Sequence, residues 1–209
     1  LVANGVDAPV TDAPITAIFR TSADAERLLD ELRRFSEAGR PVYCTELTGA
    51  ALRERVPLAS SAVAAAVQID GQRFLDPGRF VTALGRAVVD RGAELHTVDV
   101  TDVTPAGDGV VVTGRDGTTL TAAAAVIASG AWLSQLAARW VRVPVRAGRG
   151  YSFTVPVDGP VTGPIYLPDA RVACTPLNAK LRVAGTMEFG DPDAPITPAR
   201  VEAIIAATR

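Results

Sequence analysis

The run Ala123-Ala124-Ala125-Val126-Ile127-Ala128, broken at once by Ser129-Gly130-Ala131-Trp132, decides how the rest of the chain is read. Six apolar residues without polar alternation describe a strand covered on both faces, as in the parallel sheets of layered α/β structures. The abrupt change to small residues marks its carboxyl end, where backbone N–H groups can approach a bound nucleotide. A strand–glycine–helix turn is also common without a nucleotide, so this signal indicates a site and does not specify one. The strand is expected to be central. One of its neighbours is expected to come from outside these 209 residues, leaving an edge that is open or covered by a partner copy in a homodimer.

Upstream, Asp76 reads as an N-cap and Pro77 as the first helical residue. Phe80, Val81, Leu84 and Val88 form an apolar stripe, Gly92 ends the helix, and Ala93–Val98 reads as the strand that follows, half of a βαβ unit. Val110–Thr113 and Thr118–Thr121 flank Arg115-Asp116-Gly117, a hairpin signal. Closer to the start, Ile15–Arg20 reads as a strand, and Thr21 with Asp24 as a helix-capping pair. Leu28, Leu29, Leu32 and Phe35 give a helical stripe ended by Gly39. Val42–Thr45 is a short strand, and a helix from Thr48 to about Val56 stops at Pro57. Residues 62–69 suit helix or strand, and the turn at Asp70-Gly71 favours strand. Beyond Pro144, strands are expected at Arg149–Val155, Ile165–Leu167, Val172–Thr175 and Leu181–Thr186, separated by Pro- and Gly-rich turns. The fold class is therefore α+β, a mixed and largely antiparallel sheet flanked by helices. Residues 1–75 and 143–209 are read as two parts of one domain, and 76–142 as a partial α/β domain.

Composition narrows the function. The 209 residues are 48% hydrophobic and 21% charged, enough for a core, and suit one large domain or two small ones. Twenty-one basic against 23 acidic residues give a net charge of -2. No basic surplus is available for nucleic acid or an anionic bilayer. Apolar runs are too short for a membrane-spanning helix. Two cysteines, Cys44 and Cys174, make no disulfide scaffold and suit a reducing compartment. No basic and apolar leader opens the sequence, and the expected location is cytoplasmic. The start at Leu1 and a last helix without a stop signal read as a piece of a longer protein.

Familiar catalytic motifs are missing. Gly148-Arg149-Gly150 lacks the third glycine and the helix of a dinucleotide fingerprint. There is no Walker loop and no Gly-x-Ser-x-Gly. His96 reads as structural or solvated, and with two Cys it makes no zinc site. Cys44 and Cys174 read as inert core thiols, and Trp132 and Trp140 as packing residues. A second constellation is Leu181-Arg182-Val183-Ala184-Gly185-Thr186-Met187-Glu188, a strand that ends in Gly-Thr and then projects Met187 and Glu188.

Several segments in order carry a resemblance: Phe74-Leu75-Asp76-Pro77-Gly78-Arg79-Phe80, Arg91-Gly92-Ala93-Glu94-Leu95, the hairpin, Val126–Trp132, Arg149-Gly150-Tyr151-Ser152 and Leu181–Glu188. Together, from about Ile15 to Arg209, the chain resembles the FAD-dependent amine and amino-acid oxidoreductases, which include D-amino-acid dehydrogenase, glycine oxidase and D-amino-acid oxidase. Gly150-Tyr151-Ser152 with Ala173-Cys174-Thr175-Pro176-Leu177 leans towards the dehydrogenase branch. The resemblance implies oxidation of a small amine or D-amino acid to an imine and then a 2-oxo acid, with hydride passing to FAD. It matches Val100 (or Val103, in the alternative register) to a backbone contact with the adenine. It matches Ser129, Gly130, Ala131 and Trp132 to the cofactor's ribose and pyrophosphate. Tyr166 and Met187 match positions lining the substrate pocket, with Tyr151 and Glu188 as further candidates. The family's Gly-rich FAD fingerprint and its last FAD-contacting segment are absent, so FAD is expected in the intact parent and not in this piece. The carboxylate-binding Arg is expected downstream, and Arg146, Arg149 and Arg171 receive no such role. Glycine- or sarcosine-oxidase-like activity is the alternative within the family. A non-catalytic binding or structural module is the alternative outside it. Electron delivery to a quinone chain would place the protein at the inner membrane's periphery.

Overall fold

The computed structural model describes residues 1–191 and 193–208. Pro192 and Arg209, within the expected last segment 143–209, lie outside the described residues. The chain divides into two compact units. The first comprises Leu1–Ala87, Gly150–Met187 and Ile196–Arg209, and the second Val88–Arg149 and Glu188–Pro195.

The first unit is organised by a seven-stranded sheet. In chain order its strands are β2 (Ile15–Phe19), β3 (Cys44–Thr48), β4 (Ala65–Ile69), β9 (Ala147–Pro156), β10 (Ile165–Leu167), β11 (Val172–Leu177) and β12 (Lys180–Gly190). Their spatial order is β3-β4-β2-β10-β11-β12-β9. Pairing is antiparallel from β10 through β11 to β12, and β10 runs parallel to β2. A small ladder joins β1 (Thr11–Asp12) to β5 (Arg73–Phe74). The α+β class expected from the sequence is the one observed, with residues 65–69 as strand.

Helices cover the two faces unequally. Helix α1 (Ser22–Glu37) begins as expected: Thr21 caps it, its hydroxyl accepting from Asp24 N at 3.2 Å. Its Leu28, Leu29 and Leu32 pack on Ala17, Phe19, Ala65 and Val67. On the opposite face, α2 (Gly49–Arg55) and the turn after it bury Leu52, Val56 and Val63 against Ala66. Helix α5 (Pro198–Ala207) inserts Ile204 among Tyr151, Val172, Cys174 and Val183. The alternation of β11 separates these faces: Val172 and Cys174 are buried, while Ala173 and Thr175 are half-buried on the other side.

Helix α3 (Pro77–Val89) starts at the expected cap, where Asp76 Oδ1 accepts from Gly78 N at 2.9 Å and Arg79 N at 3.1 Å. Its buried side departs from the expected stripe. Ala83 and Ala87 pack with Phe80, Val6 and Ala8, whereas Val81, Leu84 and Val88 are exposed. Asn178 Nδ2 also donates to Asp76 Oδ2 at 2.9 Å. The Arg79 backbone N–H first, and then Asn178, hold the Asp76 carboxyl below its ordinary 3.8. A depressed carboxyl contributes stability above its unfolded value and loses it as pH falls through the folded one. We therefore expect Asp76→Ala to lower the melting temperature at pH 7, with the gap to wild type closing below pH 3.8 in a thermal series.

The second unit holds the antiparallel sheet β6 (Val100–Ala106), β7 (Gly109–Gly114) and β8 (Thr119–Ala122). Its hairpin turns at Gly117, whose φ of +87° favours glycine. Helix α4 (Leu133–Ala137) follows a single 3-10 turn, and Arg139 just past it pairs with Asp102 of β6. Two expected strands do not form. Residues 93–99 and 124–129 join no ladder among the described residues, and Val126 is 93% exposed. The strands expected over these two runs, and with them the half βαβ unit, are thus not formed among the described residues. A parallel strand takes its hydrogen bonds from neighbours distant in sequence, and no described residue supplies them here. Trp132 and Trp140 are about half exposed rather than packed, Arg139 lying over the Trp140 ring at 4.9 Å.

Candidate functional site

Two groups of candidate residues fall in different parts of the fold. Val100 opens β6 opposite Gly114, beside an irregularity between Val100 and Asp102. Ser129 stands before the 3-10 turn Gly130–Trp132, which also holds Ala131. The Ser129 hydroxyl is buried with no hydrogen-bond partner among the described residues. Such a group is costly unless something else completes it. Gly130 has φ +55°, and a Cβ built on it meets nothing within 4 Å. An orphaned hydroxyl beside an uncrowded glycine leaves a hydrogen-bonding group and open backbone for a ribose or phosphate oxygen. On these observations the segment fits a dinucleotide.

Tyr166 lies in the first unit. It packs on the α1-side core and lines an open groove of about 990 Å³ between α1 and the sheet. Phe19, Leu28 and Phe35 give the groove an apolar wall, and Glu31 and Arg34 a charged rim. Tyr166 pairs with Ala173, and Ala173 with Ala184, so a tyrosine borders a floor of small residues. Met187 is not among the groove-lining residues; it is 59% exposed near the end of β12. Tyr151 is buried against α5, its hydroxyl accepting from Thr197 N at 3.0 Å. Glu188 accepts from Arg149 Nε at 3.0 Å, and Arg149 also donates to the carbonyls of Ala194 and Pro195. Tyr151 and Glu188 thus have structural partners.

The thiols have no such setting. Cys44 and Cys174 are free, and burial pushes the Cys174 thiol up, away from the thiolate that reacts. His96 is exposed beside Glu94. No group of metal-ligating side chains occurs among the described residues. Reading by residue missed the small floor at Ala173 and Ala184, for which cross-strand register is the only signal.

A family model described as "FAD dependent oxidoreductase" (DAO) matches residues 1–209. A D-amino-acid oxidase of Bradyrhizobium diazoefficiens is 32% identical over 149 residues, covering 69% of this chain and 35% of the relative. Glycine oxidase from Geobacillus kaustophilus superposes with a TM-score of 0.81 at 24% identity, over 97% of this chain and 55% of that one. Glycine oxidase from Bacillus cereus gives 0.83 at 21%, over 97% and 56%. The chain spans about a third of the curated relative's length and just over half that of the two solved oxidases. No helix among the described residues is long and apolar enough to cross a membrane. With the family model matching from the first residue to the last, the chain belongs to the FAD dependent oxidoreductases of the DAO family.

Proposed function

We propose that this chain is the substrate-facing portion of a longer flavoenzyme that oxidises an amine or D-amino acid to an imine, which water converts to a carbonyl compound (a 2-oxo acid from an amino acid) with release of the nitrogen as ammonia or an amine. The observation that carries this reading is Tyr166, placed in an open groove beside a small-residue floor in a chain of the FAD-dependent family. FAD, when bound, accepts the hydride from the substrate α-carbon. Val100, Ser129, Gly130, Ala131 and Trp132 would hold it, the orphaned Ser129 hydroxyl gaining a partner. The chain's own task is orientation, which requires no triad and no strong side-chain base. The Tyr166 ring packs against substrate while its hydroxyl donates to the carboxylate. Met187 offers an adaptable apolar contact to the substrate side chain. Tyr151 and Glu188 are the further pocket candidates, Tyr151 held by Thr197 and Glu188 by Arg149.

In this reading residues 1–75 and 143–209 form the substrate-binding domain, and 76–142 part of the FAD domain. The free thiols favour a reducing, cytoplasmic setting, and the uncovered run around Val126 leaves room for a second protomer. The test is the visible spectrum of the full-length protein and a redox-dye screen across D-amino acids, glycine and sarcosine. Flavin absorbance with dye reduction is expected; a colourless protein, or one that oxidises none of them, overturns the reading. Tyr166→Phe in that enzyme is expected to raise KM about tenfold, the worth of one hydrogen bond to a charged group, with flavin content unchanged. An unchanged KM removes Tyr166 from the site.

A further inference from the structure

The alternation of side chains along β12 reverses at one residue. Directly paired residues share a sheet face, so Tyr166, Ala173 and Ala184 stand together. Gly185 faces the other way, towards α5: a Cβ built on it would lie 2.8 Å from Val172 Cγ2 and 3.3 Å from Ile204 Cγ1. Regular alternation would then send Met187 to the α5 side and Glu188 to the side of Tyr166. Glu188 departs from this. Glu188 bonds Arg149, which alternates along β9 in step with Tyr151, Phe153 and Val155, the residues that pack with Ile204. Met187 is absent from that cluster and exposed.

Between Gly185 and Met187 stands Thr186, with φ +51°. A β-branched residue in the left-handed region is a true outlier. Its hydroxyl is also buried without a partner among the described residues. Strain of this kind persists only where the surroundings over-determine it. Here Gly185 is clamped against Val172 and Ile204, and the Met187 carbonyl accepts from Arg200 Nη1 at 3.2 Å.

We propose that Thr186 is a positioning residue, whose left-handed backbone reverses the alternation of β12 and so delivers Met187 to the sheet face that carries Tyr166. This rests on the reading of Tyr166 and Met187 as the substrate wall. The test uses the full-length enzyme with D-methionine and glycine as substrates. Thr186→Gly and Thr186→Asn accept the left-handed conformation and are expected to keep both KM values within about twofold. Thr186→Pro cannot adopt it. It is expected to raise KM for D-methionine about tenfold, as Met187→Ala does, while KM for glycine, kcat and the flavin spectrum hold. Should the proline variant fail to fold, Thr186→Gly decides alone. In the full-length protein it is expected to raise the melting temperature by a few degrees; a lower one, or a tenfold KM change in the glycine variant, overturns the proposal. The melting comparison needs no turnover. An inactive wild-type enzyme therefore counts against the functional reading and not against the geometry at Thr186.

Discussion

Leu52→Ala is expected to destabilise the first unit by about 2–5 kcal/mol, the range for truncating a fully buried leucine. Leu52 is 1% exposed and is the largest side chain that α2 contributes to the core beneath β4. Val56 and Val63 are β-branched and held in their own packing, so they cannot swing in to fill the space. Arg53, on the same helix, is tied to the carbonyls of Ala59, Ser60 and Val63, which keeps the connection to β4 from collapsing inward. Urea unfolding followed by far-UV circular dichroism checks the expectation: the midpoint falls while the slope is unchanged. Leu52→Met, which nearly conserves volume, is expected to cost less than about 1.5 kcal/mol. Equal losses for the two variants would show that the side-chain volume at this position is not what α2 contributes.

Arg149→Ala is expected to be the next most damaging change, at about 2–3 kcal/mol. Breaking a buried ion pair from one side typically costs about 3–5 kcal/mol, because the partner is left charged and uncompensated. The Arg149 and Glu188 side chains are 28% and 20% exposed, so water relieves part of that penalty. The arginine also serves the carbonyls of Ala194 and Pro195, which lose a donor with it. The double variant Arg149→Met with Glu188→Leu removes both charges and is expected to recover most of the loss. Thermal unfolding of the two single variants and the double variant measures this coupling directly. Additive losses would mean that the pair contributes no more than two independent surface residues.

Local signals were the most legible part of this chain. Thr21 with Asp24 and Asp76 before Pro77 name their helix starts, because a cap is decided within four residues. Asp116-Gly117 names its hairpin for the same reason. Of the strands after Pro144, β10, β11 and β12 were legible because each pairs with the next in sequence across a short turn, whereas β9 lies at the sheet edge next to β12. The buried face of α3 was not. Its larger residues Val81, Leu84 and Val88 suggested the covered side, yet Ala83 and Ala87 are the ones that admit Val6 and Ala8 closely. Hydrophobicity ranks residues by size, whereas close approach selects small ones.

By itself the sequence determined the α+β class, the helix caps, the hairpin and the segments that carry the family resemblance. These depend on composition, on spacing within a turn or two, and on the order of motifs. Only the tertiary structure decided that residues 124–129 join no ladder, since a strand exists through hydrogen bonds to distant partners. Register across β10, β11 and β12 likewise decided that Tyr166 stands over Ala173 and Ala184, because cross-strand pairing is fixed by packing of the whole sheet. The left-handed backbone of Thr186 belongs with these: no local preference of threonine leads there, and its neighbours Gly185 and Met187 are held by Val172, Ile204 and Arg200.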